Sequence, residues 1–481
     1  MGTIIDILHG IAQSLPEVKK PNQPPNGKER LIWTGAALVL FFILYHVTAF
    51  GIQSNALQFD FLQTITASRL GSLLTAGIGP IVLASIFLQL FVGAGVINLN
   101  LQDPKDKQKF QEVQKVIAIA LAFVEALIFT VTSRVFIDPV LSQNIPFLPA
   151  IVVLQIALGS IIILYLDEIV SKYGIGSGIS LFIAAGVSFQ IIGGVIGLIF
   201  GANGAIDALT AGGAEAIPSA LIALLPFLFT IVVFMIVVYA QGIKVEIPIS
   251  FERMRGFVPR LPLKFFYVSN IPVIFASALL LNLELISGGL LPHLTPDQAQ
   301  TDFVAKYIGY VNPSTNRLAD GLLYFITPIL SSRASSSTLD HFNFLLNTPT
   351  PITGIPEWVH AITYILFLSI ASILFGIFWV ETSNMDAKSV AKQLTEAGMQ
   401  IPGFRRDPRM LESILNKHIF PLTVVGSFSV GLLAGLADLT GALGTGTGIL
   451  LTVSILYQMY EQMEQMKLFE SYPSLGKMVG R

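Results

Sequence analysis

The chain has 481 residues, of which 53% are hydrophobic and only 12% are charged, against roughly 25% charged residues in ordinary soluble domains. So many apolar residues cannot be buried in one core, which excludes an ordinary soluble globular protein. The net charge of -2 excludes a nucleic-acid binder by overall balance but leaves local basic clusters open. The chain has no cysteine, which excludes disulfides, thiolate metal sites and cysteine nucleophiles.

Ten stretches of the chain are apolar and long enough to cross a bilayer, which takes about 20 residues. Because lipid offers backbone groups no hydrogen-bond partner, each stretch is predicted to be helical. The fold class is therefore an all-α polytopic membrane protein with ten transmembrane helices. The predicted spans are Leu31–Ile52, Thr75–Ile97, Val116–Thr132, Pro146–Leu166, Ile179–Phe200, Pro218–Ala240, Phe265–Leu285, Trp358–Val380, Ile419–Leu436 and Gly441–Met459.

The segment before the first span, residues 1–30, carries four basic residues and precedes an apolar run that is too long for a cleaved signal. Its apolar residues recur at helical spacing, which is typical of a short helix lying in the membrane interface. These residues are Ile4, Leu8, Ile11 and Leu15. An unstructured terminus is the alternative.

The basic residues are distributed unevenly between the connections. Twenty-three of the 28 lie in one set of tails and loops and five in the other, so by the positive-inside rule both termini are predicted to be cytoplasmic. The loops at 241–264 and 381–417 and the tail at 464–481 are then cytoplasmic as well. The loop at 287–357 has three basic residues and is predicted to be external.

The ten spans divide into two groups of five, at 31–217 and 218–463. An odd number of spans per half means that the second half is inverted relative to the first. Glycine-rich or proline-containing interruptions occupy corresponding places in the two halves, a pattern that marks the working site of such folds. They are Gly77–Pro80 and Asn270–Pro272 in the second spans, and Gly174–Gly178 and Gly441–Gly448 at the fifth. Close helix packing through small residues is the alternative.

Branched aliphatic residues stand beside each interruption at spacings that share a helix face. They are Ile78 and Val82, Ile175 and Ile179, Ile271 and Ile274, and Leu450 and Leu451. A converging ring of such side chains would form a hydrophobic constriction that blocks ions by dewetting. Ordinary core packing is the alternative for any one stripe.

Residues 55–74, after the first span, alternate polar and apolar side chains and are too polar to cross the membrane. The spacing predicts a short amphipathic helix. It is either a re-entrant stopper over a pore, folded back at the Gly77 interruption, or an external interfacial helix.

Ionisable residues are rare within the spans. Glu125 is the only acid near the middle of a predicted span, with His46 in the first span and Glu284 near the end of the seventh. No cluster of carboxylates is present to couple transport to ions. The glycines at 444, 446 and 448 head an apolar span without a preceding strand, so they are not a phosphate loop. No enzyme motif, cofactor site or metal site is predicted.

The two basic loops at 241–264 and 381–417 could dock a polyanion such as ribosomal RNA through phosphate contacts. The alternative is that their charges only set the topology.

Six stretches of the chain together resemble the SecY family, the channel subunits of the Sec protein translocon, in its archaeal form, which is similar to the alpha subunit of the eukaryotic complex. The resembling stretches are Gln63–Arg69, Gly77–Ile81, Tyr165–Gly178, Val268–Val273, Gly376–Thr382 and Gly441–Ser454. The resemblance implies a passive protein-conducting channel in which two five-helix halves enclose an hourglass pore. It thins at residues 201–217 and 331–338, to which no function is carried.

The resemblance also implies roles for individual residues. The waist of the pore would be formed by Ile78, Val82, Ile175, Ile179, Ile274 and Leu451. A plug would lie at about 56–70 and include Phe59, Phe61, Leu62 and Ile65. A lateral gate between spans two and three on one side and seven and eight on the other would carry Glu125 and Asn282, although Leu83 occupies a gate position that can be polar.

The implied partners are a ribosome, a nascent secretory or membrane polypeptide, lipid, and two small subunits of the SecE (gamma) and Sec-beta types. Ribosome docking would fall to Arg253, Arg255, Arg260, Arg405 and Arg406. The implied location is the plasma membrane. Two other functions remain open on the residues alone: a secondary solute transporter that uses Glu125, and a scaffold that only holds ribosomes.

Overall fold

The structure is a computed structural model of the whole chain. It describes residues 2–23, 25–52, 66–93, 95–97, 99, 103–131, 137–201, 204–213, 216–248, 250–251, 260–291, 294–313, 317–329, 338–396, 399–400 and 408–471.

The described residues are mostly helical. In the first part of the chain the helices are α1 Gly2–Ala12, α2 Gly27–His46, α3 Gly79–Gly93, α4 Pro104–Val131, α5 Pro139–Asn144, α6 Leu148–Tyr173, α7 Gly178–Phe200, α8 Ala205–Ala211, α9 Ala216–Ala223 and α10 Leu225–Gly242. In the second part they are α11 Ile271–Leu290, α12 Pro296–Thr301, α13 Leu322–Ile326, α14 Thr338–Asn347, α15 Glu357–Thr382, α16 Ala387–Glu396, α17 Pro408–Leu439 and α18 Gly446–Ser471, with one π-helical turn at Val304–Ile308.

Six helical stretches among the described residues are long and apolar enough to cross a membrane, and the shorter Gly79–Gly93 and Ile271–Ser287 are also apolar. The six are Pro104–Val131, Leu148–Tyr173, Gly178–Ala211, Ala216–Gly242, Glu357–Glu396 and Arg409–Leu439. Each of the ten predicted spans overlaps a helix. The chain is thus a multi-pass helical membrane protein.

The interruptions lie at helix ends and not within helices. The first predicted span runs to Ile52, but α2 ends at His46 and Thr48 then pairs with Ser72 in an antiparallel bridge. The second and seventh spans begin later than predicted, at α3 and α11, because their glycine and proline residues favour the first turn of a helix over its interior.

The connections between the helices contain three two-stranded antiparallel sheets, which the sequence analysis did not predict. Strand β1 Lys244–Pro248 pairs with β3 Arg260–Lys264, β2 Ser250–Phe251 with β6 Met399–Gln400, and β4 Tyr310–Asn312 with β5 Arg317–Asp320. Outside the hydrocarbon layer, water can satisfy the open edges of such small sheets, so they are tolerated there.

The described residues of the two basic loops, within 244–264 and 387–417, form one unit, which we call the loop platform. The β2–β6 pair joins the loops directly. A small core lies beneath them, formed by Ile247 and Leu263 of the β1–β3 hairpin, Ala387, Ala391 and Leu394 of α16, and Leu411, Leu415 and Ile419 of α17. The two loops are therefore one folded body and not separate extensions.

The N-terminal segment is folded against the ends of α4 and α6. In α1, Leu8 packs on the cluster of Leu88, Ile97, Phe110 and Val113, whereas Ile11 is exposed. Asp6 pairs with Lys109 at 2.5 Å, and Glu17 with Lys172 at 2.9 Å. The helix expected over this segment is present.

The loop at 287–357 also has a core and a polar network of its own. Asp320 is buried and accepts hydrogen bonds from the amides of Ile352 and Thr353, at 2.8 and 2.7 Å. Glu357, the first residue of α15, accepts from the Tyr324 hydroxyl at 2.8 Å and lies 3.1 Å from Nδ1 of His360. These bonds fasten the loop to the start of α15.

Candidate functional site

Most of the side chains predicted for the ring lie in one buried hydrophobic cluster. Its buried members include Ile78, Val82, Ile274 and Leu451, and Ile179 is partly buried and packs against it. Ile175 is also buried but belongs to no part of this cluster. None of the five buried side chains faces lipid.

The cluster is built from both predicted halves of the chain. It draws side chains from α2, α3, α6 and α7 of the first half and from α10, α11, α15, α17 and α18 of the second. The cluster therefore includes side chains from both predicted halves of the chain.

Backbone hydrogen bonds fix the ring residues at the starts of helices. The amide of Ile78 donates to the carbonyl of Thr66 at 2.9 Å, and the amide of Ile175 donates to the hydroxyl of Thr34 at 3.0 Å. The amide of Ile274 donates to the carbonyl of Asn270 at 3.1 Å. The chain breaks thus fix the backbone from which the side chains of Ile78 and Ile274 enter the cluster and on which that of Ile175 is buried.

Residues 66–77, which we call the re-entrant segment, run through the bundle as non-helical backbone. Its residues Thr66, Ala67, Ser68 and Thr75 are buried. The segment packs against glycines of two helices, because a Cβ on Gly186 would contact Ala67 and one on Gly159 would overlap the carbonyl of Leu73. Non-helical backbone at this depth is tolerated only where protein surrounds it.

The four predicted plug residues, Phe59, Phe61, Leu62 and Ile65, lie outside the described residues. The described part of the same stretch begins at Thr66, whose hydroxyl lies 2.5 Å from that of Ser68. Because this part is non-helical and buried inside the bundle, the C-terminal end of the stretch at residues 55–74 is not an external interfacial helix.

Glu125, predicted for the lateral gate, is 3% exposed in α4. Its Oε1 has no hydrogen-bond partner among the described residues. Its Oε2 lies against the backbone at the start of α3, 2.7 Å from the place that a Cβ on Gly79 would occupy. The carboxyl group therefore fills the space that the glycine leaves open, and it contacts the interruption that carries Ile78.

Asn282, the second predicted gate residue, is buried in α11 and donates to the carbonyl of Ala278 in its own helix at 2.8 Å. Apolar contacts close the seam around it. Leu281 and Leu285 of α11 share a buried cluster with Ala122, Ala126 and Phe129 of α4. On the next pair of helices, Phe378 of α15 packs against Gly93 of α3. The helices predicted to form the gate are in contact.

Of the five arginines predicted to dock a ribosome, Arg253, Arg255, Arg405 and Arg406 lie outside the described residues. Arg260 is the first residue of β3, where it pairs with Pro248. In the same hairpin the ammonium group of Lys264 pairs with Glu461 of α18 and lies 5.3 Å from the ring centre of Tyr457. Lys264, a basic residue of the same loop, thus pairs with α18.

Sequence reasoning missed the contact of Glu125 with Gly79 and the pairing of the two basic loops. It also missed the hydrogen bonds of Asp167 and Asp438 to the starts of α7 and α18. The glycine directly before Pro80 indicated that another group packs closely there, but the local sequence does not identify that group. Among the described residues no group of three or more histidines or carboxylates could hold a metal ion.

Three comparisons bear on this geometry. A sequence profile described as SecY matches residues 72–460. The "Protein translocase subunit SecY" of Methanococcus vannielii is 43% identical over 477 residues, which cover 98% of this chain and 99% of that protein. This chain belongs to the SecY family.

Solved structures of SecY-type channels have the same fold. "The structure of a protein conducting channel" matches with a TM-score of 0.77 and 40% identity, covering 97% of this chain and 99% of the other. "Sec61 in the Canine ribosome-channel complex from the endoplasmic reticulum" matches with a TM-score of 0.75 and 39% identity, with the same coverage. The chain is a protein-conducting channel subunit of the SecY type, so the transporter and scaffold hypotheses fall away.

Proposed function

We propose that residues 31–217 and 218–463 form two inverted five-helix halves around an hourglass pore. Its waist is the ring of Ile78, Val82, Ile175, Ile179, Ile274 and Leu451. One observation carries the proposal: interruptions at corresponding places of the two predicted halves stand at helix starts, and five of the six aliphatic side chains beside them belong to or pack against a cluster built from both halves.

Such a ring works without bond chemistry. Aliphatic side chains offer water and ions no hydrogen-bond partner, so a narrow passage between them stays dry and blocks ion flow. The same side chains make no specific contact, so they can part around an extended polypeptide of any sequence and close after it.

We assign the plug to about residues 56–70. The buried re-entrant segment supports this, because it brings the chain that follows the plug to the ring itself: the carbonyl of Thr66 accepts from the amide of Ile78. Movement of the plug would therefore act directly on one ring position.

The seam between α3 and α4 on one side and α11 and α15 on the other is assigned as the lateral gate. Its apolar closure, Leu281 and Leu285 against α4, can be exchanged for the apolar surface of a signal sequence or transmembrane segment. Transfer of such a segment to lipid is favourable by about 25 cal/mol per Å2 of apolar surface removed from water. Glu125 and Asn282 sit at this seam and would set the balance between its closed and open states.

Direction comes from a partner, because the sequence carries no nucleotide-binding motif. We assign ribosome docking to the loop platform and its arginines Arg253, Arg255, Arg260, Arg405 and Arg406. The support is the fold shared with a channel whose structure was solved in a ribosome complex, together with the folding of both basic loops into one body.

The remaining assignments follow the charge distribution and the family resemblance. Both termini face the cytoplasm, the chain lies in the plasma membrane, and small subunits of the SecE (gamma) and Sec-beta types complete the assembly. The exposed apolar faces of the helices, such as Phe234 and Met235 of α10, would contact lipid or these subunits.

Two measurements test the channel assignment. A photocrosslinking probe at Ile179 should capture a stalled secretory chain in purified membranes, while a probe at the exposed Ile192 of the same helix serves as the control. Replacing Ile78, Ile175 and Ile274 with glycine should make the resting complex conduct ions in planar bilayers, and Ile192→Gly should not. Equal capture at both probes, or unchanged conductance, would count against the ring.

A further inference from the structure

Two aspartates hold the starts of the fifth helix in each predicted half. Asp167 of α6 accepts a hydrogen bond from the amide of Ile179 at 2.8 Å. Asp438 of α17 accepts from the amide of Thr447 at 3.1 Å. Ile179 is the second residue of α7, and Thr447 is the second residue of α18. Each carboxylate thus occupies the same position relative to the helix that follows it.

The close packing at the two corners is equivalent as well. Gly178 is the first residue of α7, and a Cβ there would lie 2.5 Å from the Cα of Asp167. Gly446 is the first residue of α18, and a Cβ there would overlap the Cβ of Ala437 and lie 2.5 Å from the amide nitrogen of Asp438. In both places only glycine lets the new helix start directly against the turn of the preceding helix that carries the aspartate.

The helix α7 has no local substitute for this carboxylate, because its first turn contains no acidic residue and the Ser177 side chain before it makes no capping hydrogen bond. The first turn of α18 also contains no acidic residue, and the Thr445 hydroxyl before it satisfies only the amide of Gly448, at 3.0 Å. A helix start presents free amides and a partial positive charge, both of which a carboxylate satisfies. The second corner is braced further, since Asp438 also accepts from the hydroxyls of Thr447 and Tyr364, each at 2.8 Å.

These corners connect directly to the ring. Ile179, whose amide Asp167 holds, is itself a ring residue. Leu451 lies four residues after Thr447, so it shares a helix face with it one turn further on. We propose that Asp167 and Asp438 are paired positioning residues, related by the inverted repeat, that fix the height and rotation of the ring side chains on α7 and α18.

The proposal rests on the proposed channel function and adds to it two polar groups that touch no passenger. A hydrogen bond to an ionised group shifts an equilibrium by roughly tenfold or more. Removing either carboxylate should therefore raise the resting ion conductance of the assembled channel by about tenfold and let it export chains with weaker signal sequences.

The test compares Asp167→Asn and Asp438→Asn with Asp138→Asn in the full channel complex. Asp138 is a matched control because it caps α5, which carries no ring residue, through the amides of Val140 and Leu141. Because the chain has no cysteine, the ring variants Ile179→Cys and Leu451→Cys can report side-chain exposure by maleimide labelling. We expect faster labelling and higher conductance only in the Asp167 and Asp438 variants.

The outcomes separate the positioning role of the two aspartates from the channel assignment. If Ile78→Gly leaks but neither aspartate variant does, the aspartates are structural only and the channel assignment stands. If no variant leaks, the ring itself is wrong and its positioning residues fall with it. Should Asp438→Asn fail to assemble, Thr447→Val removes the hydroxyl donor while leaving Asp438 in place, and an unchanged labelling rate at Leu451→Cys then overturns the proposal.

Discussion

The contact between Glu125 and Gly79 allows a test of whether the proposed gate seam controls the proposed ring. In Gly79→Ala the new Cβ would lie 2.7 Å from Oε2 of Glu125 and 3.4 Å from Cγ2 of Thr66. Ordinary contacts begin near 3.4 Å, so the carboxyl group must move by roughly 0.7 Å. The contact to Thr66 is already acceptable, which leaves the carboxyl group as the source of strain.

Overpacking of this kind typically costs about 1–3 kcal/mol. Alanine in place of glycine in a helix returns up to about 1 kcal/mol. The net penalty on the closed state is therefore up to about 2 kcal/mol, which corresponds to a shift of up to roughly 30-fold in a two-state equilibrium. Gly79→Ala should raise the resting conductance and the export of weak signals by a factor in this range.

A double-mutant cycle tests whether the carboxyl group of Glu125 causes the effect of Gly79→Ala. Glu125→Ala removes the obstructing carboxyl group and should relieve the effect of Gly79→Ala, whereas Glu125→Gln has the same shape and should not. Gly197→Ala in α7 is the control, because a Cβ there meets nothing within 4 Å. The steric reasoning is refuted if Gly79→Ala behaves like Gly197→Ala, or if Glu125→Gln relieves it as well as Glu125→Ala does.

Three further predictions concern the gate, the loop platform and the N-terminal segment. Asn282→Leu should shift the balance between closed and open seam and change the export of weak signals relative to strong ones; identical export of both would contradict the gate assignment. Reversing Arg255 and Arg405 to Glu should weaken ribosome binding and flatten its dependence on salt in a sedimentation assay, and an unchanged salt slope would remove them from the interface. The hydrogen bond and charge of Lys172 hold the pKa of Glu17 below its usual 4.5, so the contact is fully stabilising above that value and is lost as pH falls through the lowered pKa. Glu17→Gln should cost at most about 1 kcal/mol because the Glu17 side chain is 63% exposed. Proteolysis of the N-terminal segment should speed up below pH 4.5 more in the parent chain than in the variant, which keeps the acid-sensitive pair of Asp6 with Lys109, and equal pH profiles would refute the assignment.

The interruptions show what local sequence can and cannot specify. Gly77–Pro80 and Asn270–Pro272 are visible in the sequence as breaks, because glycine and proline disfavour helix interiors wherever they occur. Their exact role is different: they start α3 and α11 instead of splitting a span. That difference depends on the re-entrant segment, whose carbonyl at Thr66 accepts from Ile78 across eleven intervening residues.

Single-residue assignments divide in the same way. Burial of Ile78, Ile274 and Leu451 followed from helical spacing beside a break. The contacts of Glu125 with Gly79 and of Asp167 with Gly178 could not be predicted in this way, because a glycine indicates close packing but does not identify the atom that packs against it. The pairing of the two loops was not predicted for a related reason. Strands β2 and β6 pair over two residues each, which is too short to produce an alternating hydrophobic pattern in either loop.

The sequence by itself determined that this protein is a membrane protein and where its helices run, and it predicts which side its basic loops face. Hydropathy, charge and chain breaks are local properties, and lipid enforces them one segment at a time. Only the tertiary structure decided that aspartates on α6 and α17 hold the helices that follow, and that Glu125 fills the space beside Gly79. Those contacts depend on which helices become neighbours, and packing selects neighbours by shape over the whole bundle.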